Sequence, residues 1–149
     1  MPKPRILIIC TGNSARSQMA EVLMTQAIVD EFDIVSAGLD PKGLNPYAVE
    51  VMKEIGIDIS QQQSKDIKGF LGQYFSYLIT VCSNAEERCP IFPGVTFRLY
   101  WPFDDPAAVE GTEAEKLAKF REVRDQLDLK ICDWATEFRT KPIYRQAQK

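Results

Sequence analysis

Arg5-Ile6-Leu7-Ile8-Ile9-Cys10-Thr11-Gly12-Asn13-Ser14-Ala15-Arg16-Ser17 is the stretch that decides the fold. A short β-branched run between Pro4 and Gly12 reads as a strand buried on both faces, Arg5–Cys10. The small, turn-forming residues after it read as a loop. From Ser17 a helical pattern begins, with Met19, Val22, Leu23 and Ala27 on one face. Phe32–Ala37 reads as a second strand. Strand, helix and strand in so short a span make a right-handed βαβ unit.

Working outward, Asn45-Pro46 starts a helix, with Asn as cap and Pro in the first turn, and Gly56 ends it. Ser60-Gln61-Gln62-Gln63 resembles a capping box and predicts a further short helix. Tyr77–Val81 and Thr96–Tyr100 read as the third and fourth strands. Thr112-Glu113-Ala114-Glu115 is a second capping box. It opens a long helix whose stripe of Leu117, Phe120, Val123, Leu127, Ile131, Trp134 and Phe138 is core packing. The alternation predicts one α/β domain over residues 1–140, with a mostly parallel sheet. Residues 141–149 are expected to form a polar tail that frays.

Composition narrows the chemistry. The chain has 149 residues, one domain's worth, and its 18 basic against 21 acidic residues leave a net charge of −3, which argues against a broad grip on nucleic acid. It contains no histidine, which removes Ser-His-Asp and Cys-His nucleophile systems and His-bound metals. The Ile6–Ile9 run is too short for a membrane span or a signal-peptide core, so a cytoplasmic protein is expected. In that setting Cys10, Cys82, Cys89 and Cys132 are not expected to be structural disulfides.

Cys10 to Ser17 spells C-x5-R-S between a strand and a helix. Such a loop turns its backbone N–H groups onto one point, where the helix also aims its positive end. Gly12 and Asn13 tolerate tight or left-handed backbone. Arg16 offers a two-pronged guanidinium. Thr11, Gly12, Asn13, Ser14, Ala15, Arg16 and Ser17 are thus expected to hold a tetrahedral oxyanion over Cys10. The same field is expected to lower the Cys10 thiol pKa. Ser17 is expected to donate to the sulfur or to cap the helix. Asp105, between Phe103 and Pro106, is a candidate general acid, its neighbouring aromatics lowering the local dielectric.

Cys82 and Cys89 form a C-x6-C pair, which suits neither a zinc ribbon nor a thioredoxin-like motif. Were residues 82–89 helical, their Cα atoms would stand about 10.5 Å apart, from seven rises of 1.5 Å. A disulfide needs about 4.4–6.8 Å. Joining them would unwind the segment, and the polar stretch between them tolerates exposure. The pair reads as a redox switch.

Ile9–Glu21, Ser36-Ala37-Gly38, Val81-Cys82, Cys89-Pro90 and Phe103-Asp104-Asp105-Pro106 together resemble the thioredoxin-coupled arsenate reductases of the low-molecular-weight protein tyrosine phosphatase superfamily. The resemblance spans about residues 5–138. It implies a four-stranded parallel sheet flanked by helices in three layers, and a monomeric oxidoreductase of arsenical resistance without an organic cofactor. It implies that Cys10 attacks arsenate held by the loop and Arg16, with Asp105 protonating the leaving oxygen. Cys82 and then Cys89 resolve the adduct, leaving a redox-active disulfide. Thioredoxin is the implied reductant, with a glutaredoxin–thiol couple as the other candidate. Some members bind potassium near Asn13, Glu21 and Ser36; here Lys65 stands where a carboxylate is usual, and no metal is expected. The competing function is a phosphatase that hydrolyses phosphoesters through a Cys10–phosphate intermediate. It has no use for the Cys82–Cys89 pair, and Ala107 and Gln18 depart from its usual pattern. A third is a redox sensor without catalysis.

Overall fold

In the computed structural model, which describes residues 3–28 and 30–140, the strands are β1 (Arg5–Cys10), β2 (Asp33–Gly38), β3 (Phe75–Thr80) and β4 (Val95–Tyr100). They pair in parallel in the order β2-β1-β3-β4. β1 sits inside the sheet, and its Ile6, Leu7, Ile8 and Ile9 are fully buried, as a continuous apolar run requires. The helices are α1 (Arg16–Ile28), α2 (Pro46–Lys53), α3 (Ser83–Arg88) and α4 (Glu113–Thr140). α1 packs on β1, β2 and α4, and α2 also packs on α4.

Local chemistry sets the ends of these elements. Asn45 accepts from Tyr47 N–H at 2.8 Å and starts α2. Gly56, at φ +80°, turns the chain away beyond it. Thr112 and Glu115 bond reciprocally at the head of α4. The α4 stripe buries Phe120, Val123, Leu127, Ile131 and Phe138, with Leu117 and Trp134 partly buried beside them. Trp134 and Phe138 join Phe32 and Tyr77 in one aromatic cluster.

Two expectations need correction. β3 starts at Phe75 rather than Tyr77, because Phe75 is fully buried against Phe70 and Phe92. No helix forms over Ser60–Gln63. The Gln63 carbonyl, which a helix there would use, accepts from Gln18 Nε2 at 2.9 Å, and the Gln62 side chain is also held by Gln18, its Nε2 donating to Oε1 at 2.5 Å. A 3-10 turn comes later, at Ile67–Phe70, capped by Asp66. The segment 141–149, expected as a tail, lies outside the described residues. Among the described residues no helix is long and apolar enough to cross a membrane.

Candidate active site

The carboxyl ends of β1 and β3 deliver Cys10 and Cys82 to one cavity of about 1010 Å³. Thr11, Gly12, Ser14, Ala15 and Arg16 also line it, with Asn84, Phe103 and Asp105 across from them. This is where ligands meet open α/β sheets.

The loop is held from behind by a buried polar network. Asn13, not Gly12, takes the left-handed backbone, at φ 46°. Its Nδ2 donates to Ser17 Oγ at 2.8 Å and to Ser36 Oγ at 2.9 Å. Its Oδ1 accepts from Gln18 Nε2 at 3.0 Å and from the Lys65 N–H at 2.8 Å. Ser64 Oγ donates to the carbonyls of Gly12 and Asn13. Gly38 closes the back, for a Cβ there would lie 2.7 Å from Thr11 O and 2.8 Å from Asn13 N. Asn13 and Ser17 are therefore supports: both are fully buried, and neither lines the cavity. The Ser17 hydroxyl accepts from Asn13 Nδ2, which leaves its own hydrogen available as a donor.

Arg16 Nη1 donates to the Phe103 carbonyl at 2.9 Å, and Nη2 lies 3.9 Å from Asp105 Oδ2. The guanidinium thus ties the anion loop to the segment after β4. Asp105 also accepts from Ala107 N–H at 3.0 Å. Its side chain is 49% exposed, so the apolar surroundings expected for it are absent, and Arg16 is what holds it at the site.

Both sulfur-bearing residues line the same cavity. Cys82 Sγ also faces the Thr11 hydroxyl at 3.3 Å and the Ala85 N–H at 3.4 Å. Asn84 Nδ2 donates to Thr11 Oγ1 at 2.8 Å, which leaves the Thr11 hydrogen for the sulfur. The Cys10 hydrogen bond, with those from Thr11 and Ala85 and the charge of Arg16, draws the Cys82 thiol down to about 5, against the pull of burial. Cys10 moves the opposite way: its bond to Cys82 and its burial push it well above the ordinary thiol range, despite Arg16 and the Thr11 N–H. The two thiols titrate as a pair rather than as independent groups.

Cys82 caps the amino end of α3 and Cys89 its carboxyl end. Cys89 is half-buried and does not line the cavity; burial pushes its thiol up, with Glu86 adding to the rise and Arg98 opposing it. α3 is pinned by Glu86, whose carboxylate accepts from the Thr80 hydroxyl and lies 3.7 Å from Arg98 Nη2, and by Arg88, 3.0 Å from Asp40. Cys132 is exposed on α4, away from these thiols.

Lys65 Nζ lies 3.7 Å from Glu21 Oε1 and donates to the Gln63 carbonyl at 3.1 Å. With Asn13 Oδ1 and Ser36 Oγ already accepting protein donors, these residues do not fit a bound potassium ion. Sequence reasoning missed Asn84, Ser64 and the Phe103 carbonyl, which touch the loop across 50 or more positions and carry no local signal.

Among known proteins, the chain is 48% identical over 135 residues to an arsenate reductase of Halalkalibacterium halodurans, covering 91% of this chain and 97% of that protein. It is 45% identical to an arsenate reductase of Bacillus subtilis, covering 87% and 94%. A solved structure described as an arsenate reductase in the phosphate binding state superposes with a TM-score of 0.76 at 28% identity, covering 90% of this chain and 98% of that one. The family model for low molecular weight phosphotyrosine protein phosphatase matches residues 5–146. That match spans the loop from Cys10 to Arg16, and the chain belongs to the low molecular weight phosphotyrosine protein phosphatase family.

Proposed function

We propose that the protein reduces arsenate to arsenite through Cys10, Cys82 and Cys89, with thioredoxin returning the electrons. One observation carries this reading: a second sulfur-bearing residue, Cys82, lines the anion cavity with the strand-end cysteine, and it starts the short helix that ends at Cys89. A phosphoester hydrolase needs only the first sulfur. The names of the relatives in Halalkalibacterium halodurans and Bacillus subtilis supply the substrate.

In the proposed cycle, the loop N–H groups and Arg16 bind arsenate over Cys10. Cys10 gives up its proton to solvent, and its sulfur bonds to arsenic. An arsenic-bound oxygen leaves as water, with Asp105 donating a proton. Cys82, as a thiolate, attacks the Cys10 sulfur. The Cys10–arsenic pair stays on arsenic, which falls from the pentavalent to the trivalent state and departs as arsenite. Cys89 next attacks Cys82, and Cys10 leaves as a thiolate. Two electrons from the dithiol of thioredoxin then open the Cys82–Cys89 bridge. The reading places the enzyme in the cytoplasm as a monomer, where thiols are kept reduced.

The test is arsenate-dependent NADPH oxidation with thioredoxin and its reductase, on wild type, Cys10→Ser, Cys82→Ser, Cys89→Ser and Asp105→Asn. Wild type should turn over repeatedly, each thiol variant should not, and Asp105→Asn should lose most of its rate. Absence of arsenate reduction in wild type, with phosphatase activity that survives Cys82→Ser and Cys89→Ser, would establish the hydrolase instead.

A further inference from the structure

The segment between β2 and α2 runs beside the anion loop and is laced to it. Leu39 N–H donates to the Cys10 carbonyl at 3.3 Å, Asp40 N–H to Thr11 at 2.8 Å, Lys42 N–H to Gly12 at 3.0 Å and Asn45 N–H to Ser14 at 2.9 Å. This ladder fixes the Lys42 backbone against Gly12. The Lys42 stem lies over that glycine, for a Cβ on Gly12 would touch Lys42 Cδ at 3.5 Å and Cγ at 3.6 Å. The residue so placed lines the cavity with Cys10, and Arg16 and Lys42 are the cations of its wall. Arg16 is already shared between the Phe103 carbonyl and Asp105. Asp40, the acid nearest to Lys42 along the chain, is taken by Arg88 at 3.0 Å. Among the described residues Lys42 forms no ion pair.

We propose that Lys42 is a second anion-binding cation of this site, the one that draws the oxyanion in. The inference rests on the arsenate reading only for the identity of the anion, since any tetrahedral oxyanion of that charge meets the same field. A phosphate-like oxyanion brings up to about two negative charges near neutral pH. The positive end of α1 supplies about half a charge. Arg16 is partly cancelled by Asp105 beside it. The wall therefore holds less unshared positive charge than the anion carries until Lys42 is counted. A compact ammonium on a flexible stem suits the task, because it can follow the anion from the mouth to the loop. Lys42 is exposed, so salt screens its pull; Arg16, with a side chain only 12% exposed, is screened less. The two cations thus divide the work: Lys42 governs capture and its salt dependence, and Arg16 governs the held geometry.

The experiment measures binding of inorganic phosphate to the full chain by calorimetry at rising sodium chloride, on wild type, Lys42→Met, Lys42→Arg and Lys42→Glu. Methionine keeps most of the stem and removes the charge. At low salt Lys42→Met should bind phosphate about fivefold more weakly, the upper end for an exposed ion pair. Its affinity should also fall less steeply than that of wild type as salt rises. Lys42→Glu should bind more weakly still, and Lys42→Arg should recover most of the wild-type affinity. In arsenate turnover the loss in Lys42→Met should fall on KM rather than on kcat. A merely structural lysine would move neither the salt slope nor this order of charges. Wild-type affinity and salt slope in Lys42→Met, or Lys42→Arg as weak as Lys42→Met, would overturn the inference. Phosphate binding that follows the charge at position 42 without arsenate reduction removes the arsenate reading alone. Arsenate turnover with phosphate binding indifferent to that charge removes this inference alone.

Discussion

Asn84 donates to Thr11 from 73 positions away, and the Cys82 charge depends on that gift. Asn84→Ala should free the Thr11 hydroxyl to rotate and raise the Cys82 midpoint by about 1 unit, since a hydrogen bond to a charged group contributes about 1.5–3 kcal/mol and one unit is 1.36. The check is the alkylation rate of Cys82 against pH, followed by peptide mapping. In wild type reactivity should climb as pH rises through about 5 and then level; in the variant the climb should come later. Gly38 makes a second prediction at this scale. Because a Cβ would strike the Thr11 carbonyl and Asn13 N, both backbone, Gly38→Ala should cost about 1–3 kcal/mol, as overpacking does, and weaken phosphate binding. Urea unfolding with and without phosphate measures both. The sequence marked Cys10, Arg16 and Cys82 because their types and spacing carry the chemistry. It could not mark Asn84 or Gly38, whose value comes from neighbours brought up by folding. The choice of Asn13 over Gly12 for the left-handed residue was equally out of reach, being settled by Ser36, Gln18 and Lys65 behind the loop.

Among elements, α3 separates the proposed arsenate cycle from simple hydrolysis. Its two cysteines cap opposite ends, so about 10.5 Å of helical rise divides their Cα atoms, beyond disulfide reach. Closing the bridge requires the segment to unwind, and Glu86 resists this through Thr80 and Arg98. Glu86→Ala should therefore speed Cys82–Cys89 closure, about tenfold if the latch is worth about 1.4 kcal/mol. Stopped-flow mass change after a single oxidant addition measures it, and a slower closure would show that Glu86 guides the segment instead. This helix was foreseen as a conditional, through the spacing of its cysteines. The Ser60–Gln63 helix was foreseen wrongly, since a capping pattern does not reveal that Gln18 claims the local groups from another element.

The whole molecule keeps its stability and its chemistry on different sides. Far from the thiols, buried Arg124 donates to the Val51 carbonyl at 2.8 Å and pairs with Glu54, which Arg121 also grips. Arg124→Ala should cost about 1–3 kcal/mol in urea unfolding, as losing a charge-assisted bond does, and leave the KM for arsenate unchanged. Arg121 and then Arg124 hold the Glu54 carboxyl below its usual range. Its folded pKa is depressed, so its contribution is present above the unfolded value of 4.5 and fades as pH falls below that. Acid should therefore loosen the α2–α4 contact. The parallel sheet and its helices were legible because apolar runs and turn residues alternate along the chain. The strand order, which sets Cys10 beside Cys82, rests on pairings that no local pattern records.

Arg88 is the residue just before Cys89, and in the wound form it sits in a helix and pairs with Asp40. Bridging the two sulfurs must strip that backbone of its helical bonds. A protease that cuts after basic residues should then nick the chain between Arg88 and Cys89 far faster in the oxidised protein than in the reduced one. A short digest would report the redox state of the molecule without any substrate present.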